Sequence, residues 1–575
     1  MRLGRFVTVC LAVLMLSVGA VAAQDSVPTL IPPTLVPSQT AGEAALISES
    51  AIAQIQRDGQ VRVGILYNEP PFGELNIRGE VVGFDATLGR AFAELWGVNA
   101  VFVQVTRQNA FQKLIGNEVD LLLAAQVHYR GQDARVEYSQ SYYRGGQAMM
   151  VRLDDPAQTL AEMNNRRVGV VMGTAAVQAI SEWQRRGRVN IVVQQYISLD
   201  EAIVGLVNNE VDGIVDKRYP LRERILPDRV RVLDDTVQPE PYAVVMRRQD
   251  VNLRNLVNRS LQYLAQSGRL AQIHEEFFPG RAYPLDTVPI WSNLGESAPT
   301  PANFGADIPY PSEYAFPRVR ASGVVRVAGV PQPLPQAPES DRRLAAVNQQ
   351  LAEALAARWG VRVEFIPGTE SDPVGAVQRG QADLALGVRP DWNSTDRVDF
   401  AGVYMLRGKR LIVPANRDIT SLADLRGDWI GVFAVEPESA AMVTALAESV
   451  NARASIYTIG REEDAAFVML TEENADAVFG DSLRLLAHVE ANPTTLKFAE
   501  RCANCDVWYT RDYLGVAVPR NDIDFRLLVE YTLQELALDG TLNALLIPVT
   551  VQGSALTIEA VPGSSEYLGL SLIAR

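Results

Sequence analysis

The chain has 575 residues, 47% of them hydrophobic and 21% charged, with a formal net charge of −15 and three cysteines. That length predicts more than one domain, and the composition excludes wholesale disorder, a collagen-like repeat and a disulfide-stapled scaffold. The acidic balance argues against nucleic acid as a partner, because phosphate binding draws on an excess of Lys and Arg.

Arg2 and Arg5 precede an apolar run over residues 6–16, and small residues follow as far as Ala23. This pattern predicts a secretory signal peptide over residues 1–23, cleaved near Ala23, and an extracytoplasmic protein, periplasmic or at the cell surface. Residues 24–50 are Pro/Thr-rich and read as a spacer; a second Pro-rich run, 286–318, reads as a linker. The blocks 51–285 and 319–550 mix short Val/Ile/Leu runs with helical periodicity, which predicts α/β folding in each. Residues 551–575 alternate apolar runs and suggest an added strand at the C-terminus. Beyond the signal, no apolar stretch reaches the roughly 18 residues of a membrane span.

The two blocks repeat one another. Gln60-Val-Arg-Val-Gly-Ile-Leu66 recurs as Val324-Val-Arg-Val-Ala-Gly-Val330, and Ala91-Phe-Ala-Glu-Leu-Trp-Gly97 recurs as Ala354-Leu-Ala-Ala-Arg-Trp-Gly360. Arg135-Val-Glu-Tyr-Ser139 matches Arg397-Val-Asp-Phe-Ala401, and Ser267-Gly-Arg-Leu270 matches Asp539-Gly-Thr-Leu542. Collinear matches at a slowly drifting offset identify a tandem duplication. Charge divides unevenly: residues 51–290 carry −1 and the residues after 290 carry −13. The excess acid of the second block fits a solvated face, a basic partner or repulsion of anionic ligands.

In copy one the strand 61–66 leads into Tyr67-Asn-Glu-Pro-Pro-Phe72, where the Pro pair stops both strand and helix. Tyr67 and Phe72 are therefore expected on a loop at the C-terminal end of a strand, where open α/β sheets bind ligands. Asp85, in Gly83-Phe-Asp85, is expected to cap the next helix or to touch ligand. Gly173-Thr174 precedes a helical run and would present N–H groups to an anion or simply cap the helix.

These motifs, in this order and with Val119-Asp120, Val136-Glu-Tyr-Ser139, Val168-Gly-Val170 and Val211-Asp212, resemble the extracellular solute-binding proteins of family 3, the polar amino-acid-binding components of ABC importers. The resemblance covers both copies. It implies two tandem periplasmic-binding-protein-like (type 2) modules, each of two α/β lobes joined by a hinge and closing on a ligand. In copy one, lobe one would take residues 54–150 and the return after Tyr242, and lobe two residues 151–240.

The resemblance also marks departures. The Arg that relatives use for the ligand carboxylate falls on Gln132 and Ser394, so Arg130 is the nearest substitute in copy one. The ammonium-binding Asp falls on Lys217, with Asp216 one residue early, whereas copy two keeps Asp481 at that spacing. Copy two lacks the aromatic loop and offers Arg389 and Trp392 as cation and aromatic wall. The expected ligand-binding set is thus Tyr67, Phe72, Asp85, Arg130, Gly173, Thr174 and Asp216 in copy one, and Arg389, Trp392 and Asp481 in copy two.

Cys502-Ala-Asn-Cys505 is expected to form a local disulfide in an oxidising compartment. The three His residues are not spaced for a metal, and no cofactor is expected. No Gly-x-Ser-x-Gly, His-Glu-x-x-His or P-loop motif is present. The reading is a non-enzymatic, monomeric solute-binding protein with a small polar ligand, the membrane subunits of an ABC importer as partner, and no nucleic acid. A sensing or partner-binding role with a degenerate second copy is the alternative, and a dehydratase-like enzyme on the same fold, with Glu69 and Asp85 as candidate acids, is a further one.

Overall fold

A computed structural model describes residues 47–284, 286–330, 337–500, 508–551, 556 and 558–563. The signal, nearly all of the spacer, and Cys502 and Cys505 lie outside the described residues. Among the described residues no helix is long and apolar enough to cross a membrane.

Copy one is built on one eight-stranded sheet. Its order is Asn99–Val105, Gln60–Leu66, Leu121–Leu122, Val230–Arg247, Val136–Arg152, Gly213–Lys217, Arg167–Val171 and Val192–Tyr196. The two antiparallel strands in the middle, 17 and 18 residues long, run from one lobe into the other and form the hinge. Each lobe has its own apolar core. Leu121, Phe84 and Leu253 lie in lobe one, while Val168, Ile180 and Met163 lie in lobe two.

Copy two has two sheets in place of one. Val398–Arg407 and Lys409–Pro414 replace the first hinge strand and are separated by Gly408. A Cβ at Gly408 would overlap the Thr510 carbonyl, so the break requires glycine.

The duplication is visible in packing as well as topology. The helices Phe84–Trp96 and Glu339–Trp359 both end on a left-handed glycine, Gly97 and Gly360. Trp96 donates to Ser260 Oγ at 2.9 Å, and Trp359 donates to Thr532 Oγ1 at 2.8 Å. The second helix is longer, 21 residues against 13, and the extra residues lie at its N-terminus, where copy one has the stretch 76–83.

The copies meet lobe one to lobe one, through equivalent residues exchanged about a pseudo-two-fold axis. Arg526 of copy two forks onto both Glu137 oxygens at 2.7 Å, and its counterpart Arg254 of copy one binds Asp399 at 2.7 Å. All four side chains are buried. Burial pushes the Glu137 carboxyl up, but the guanidinium groups of Arg526 and Arg254 outweigh it and hold the group below its usual range.

The Pro-rich run is packed rather than free. Trp291 packs against Trp392 at a tilt of 34°, and the helix Ala315–Ser322 begins inside the stretch read as linker. At the C-terminus the expected extra strand is not formed by residues 558–563. Ile558, Glu559 and Val561 line a cavity of about 180 Å³ between the copies, where the Ser141 hydroxyl donates to Glu559; nearby in the chain, the Arg130 backbone N–H donates to the Pro562 carbonyl.

Candidate functional site

The cleft of copy one opens where the C-terminal ends of its strands face one another across the hinge. Glu69 and Arg107 come from lobe one and Lys217 from the end of a lobe-two strand. Glu69 Oε1 lies 2.7 Å from Arg107 Nη2 and 3.3 Å from Lys217 Nζ, so an ion pair spans the cleft. Burial raises the Glu69 carboxyl, yet the Lys217 and Arg107 charges win and its pKa falls below the ordinary value.

On the lobe-two side the helix Ala175–Gly187 starts at Thr174, whose side chain bonds back to the Val171 carbonyl at 2.8 Å instead of capping the helix. Gly173 takes φ +75 just before it. The first-turn N–H groups therefore have no side-chain cap, and the helix dipole leaves them attractive to an anion. Tyr67 is partly exposed at the rim, its hydroxyl 3.4 Å from the Phe102 carbonyl. Asp216 accepts the Lys217 N–H at 2.7 Å and is pushed up by burial.

Three expected ligand residues of copy one are engaged by other parts of the chain. Phe72 is buried against Tyr242, Tyr143, Phe278 and Phe84, with ring centroids 5.0–6.1 Å away, so it belongs to the lobe-one core. Asp85 is not the helix cap: Gly83 is the cap residue, and the Asp85 carboxylate accepts from Ala125 N–H at 2.6 Å and Tyr142 O–H at 2.8 Å. Its complete burial outweighs those bonds and pushes its pKa up to about 7. Arg130 points at the second copy, bonded to Glu535 and Gln534 at 3.0 Å each and lying 4.4 Å from the Tyr531 ring centroid.

In copy two the corresponding cleft is filled by its own charges. Glu436 sits at the helix start equivalent to Thr174, and its carboxylate accepts from the Asp481 N–H at 3.1 Å and Ser439 Oγ at 3.0 Å. Lys409 and Arg484 neutralise it, the latter at 3.2 Å. Asp481, the expected ammonium-binding acid, is taken by Arg407 Nε at 2.6 Å and by two N–H groups of the helix that it caps. Trp392 is turned to copy one: it donates to Gln262 Oε1 at 2.9 Å and packs at a tilt against Trp291. Arg389 is about half exposed and lies 3.5 Å from Asp512.

The lobes of copy two are also joined through apolar contact. One core cluster runs from Val347 and Leu351 of lobe one to Phe433, Leu483 and Leu486 of lobe two. The extended helix Glu339–Trp359 packs on the lobe-two helix Ser482–Ala491, and Arg343 reaches Glu490 at 2.5 Å.

Residues that sequence reasoning did not assign to the site include Arg107, Gln147 and Glu240. Gln147 and Glu240 lie on the hinge strands, where no motif marks them. Lys217 stood out as one of four lysines at the position of an expected acid.

A model of the bacterial extracellular solute-binding proteins, family 3, matches residues 61–280 and again 332–547. The L-arginine-binding protein of Pseudomonas aeruginosa is 23% identical over 253 residues, which cover 42% of this chain and 96% of that protein. The glutamine-binding protein of Geobacillus stearothermophilus is 23% identical over 208 residues, 35% of this chain and 78% of that one. Among solved structures, a polar amino acid ABC uptake transporter substrate-binding protein from Streptococcus thermophilus matches with 19% identity and a TM-score of 0.37, covering 42% of this chain and 93% of that chain.

Proposed function

Because the chain belongs to the bacterial extracellular solute-binding proteins, family 3, we propose that it captures one small polar solute, an amino acid or a related compound, between the lobes of copy one. Copy two acts as a closed companion rather than a second binding module. The observation carrying this reading is the contrast between the clefts. Copy one keeps an uncapped helix start and separate lobe cores, whereas copy two fills the equivalent helix start with Glu436 and shares one core across its lobes.

Solute binding would draw the lobes of copy one together about the two long strands. Tyr67, Gly173, Thr174 and Asp216, with Glu69, Arg107 and Lys217, are the residues proposed to meet it. The loaded protein would work outside the cytoplasm and deliver solute to the membrane subunits of an ABC importer, as a monomer and without chemical turnover.

Isothermal titration of the mature protein, stripped of bound solute by unfolding and refolding, tests this against a panel of polar amino acids. The expected result is saturable binding of at least one of them at one solute per chain. Two equivalent sites per chain, or turnover of prephenate or arogenate, would contradict it.

A further inference from the structure

The floor of the copy-one cleft holds an unmet hydrogen-bonding requirement. Gln147 and Glu240 come from the two hinge strands and are each 1% exposed. Gln147 Nε2 donates to Glu240 Oε1 at 2.7 Å, which leaves Glu240 Oε2 and Gln147 Oε1 buried with no partner. Buried polar atoms are nearly always satisfied, and a pair of orphaned acceptors side by side calls for a donor. Burial pushes the Glu240 carboxyl up, against the hydrogen bond from Gln147.

The donor is not supplied by the cleft's own cations. Lys217 and Arg107 are within electrostatic reach of Glu240, but both are engaged by Glu69. The other charged group in reach, Asp216, is an acid and adds to the demand for positive charge. Register places the floor beside the site: Lys217 pairs with Gln147, and Glu240 pairs with Gly145, across adjacent strands. The cleft thus has an N–H-rich end at Thr174 and, at the hinge, a floor with two unpaired acceptor oxygens.

Resting on the reading of copy one as the solute module, we propose that Glu240 and Gln147 form a cation subsite in the hinge, accepting N–H groups from a positively charged nitrogen group of the solute. Such a contact lies on both strands that must bend, so it would favour solutes that carry charge to the hinge over neutral ones of the same shape.

Isothermal titration with L-arginine and its neutral isostere L-citrulline, on the wild type and on Glu240→Gln, tests this. The wild type should bind L-arginine at least about tenfold more tightly than L-citrulline. In Glu240→Gln that preference should shrink to within about threefold, with the melting temperature retained. Equal affinity of the wild type for the two compounds overturns the proposal whether or not the variant folds, as does an unaltered preference in a folded variant. Binding of neutral amino acids without charge preference overturns the subsite alone. Failure of every amino acid to bind overturns the reading of copy one as well.

Discussion

Replacing Arg526 with methionine should destabilise the chain by about 3–5 kcal/mol, because it strands a buried carboxylate. Glu137 is 5% exposed and receives both of its short bonds from Arg526, while Arg254 stands 3.7 Å away and is committed to Asp399. Methionine fills the aliphatic volume of the arginine without supplying a charge, so the loss is electrostatic and not a cavity effect. Adding Glu137→Gln should recover part of the loss, since no net charge is then left buried. Equilibrium urea unfolding followed by tryptophan fluorescence measures both variants. A loss below about 1 kcal/mol for Arg526→Met would mean that water reaches this interface and the pair is screened.

A second large effect is expected inside copy two. Lys409 occupies the strand position that Gln147 holds in copy one, opposite Asp481 as Gln147 is opposite Lys217. Lys409→Gln therefore exchanges the copy-two residue for the copy-one residue. It should destabilise the chain by about 3 kcal/mol, because Glu436 is buried and keeps only Arg484 as a neutralising partner. The same urea titration reads it, and a change below about 1 kcal/mol would show that the cleft of copy two is wet and its charges are not mutually required.

Much of the fold is legible in the chain because it depends on local pattern. The repeated Trp-Gly pair ends equivalent helices, and the Val-Arg-Val runs form strands with equivalent parallel pairings. The duplication and the α/β lobes follow from such signals. The site is less legible, because side-chain role depends on what stands opposite. Arg130 has the charge for a carboxylate ligand, yet a residue 405 positions later claims it. Asp85 stands near a helix start, but its acceptor bonds run to Ala125 and Tyr142, which only tertiary packing brings near. Asp481 keeps the spacing expected of an ammonium-binding acid while Arg407 occupies it. Gln147 and Glu240 meet through the pairing of two long strands, a register that no short motif encodes.

Physically, the two copies have diverged at the same three places. Thr174 corresponds to Glu436, Gln147 to Lys409 and Lys217 to Asp481; copy one leaves the helix start at Thr174 without a side-chain cap and Gln147 Oε1 unpaired, where copy two places paired charges. A carboxylate at a helix start and an ammonium beside it satisfy, within the chain, the groups that an amino acid would otherwise satisfy. The longer helix Glu339–Trp359 then closes the lobes with apolar contact.

Solute should move copy one and leave copy two unchanged, which hydrogen–deuterium exchange with and without a saturating amino acid reads out. Solute should slow exchange in the helix Ala175–Gly187 and the strand Gly213–Lys217 of copy one, while the helix Pro437–Ser449 and the strand Ala477–Asp481 of copy two exchange identically in both states. Solute-dependent protection in those copy-two elements, or its absence from copy one, would mean that solute is not held by copy one alone.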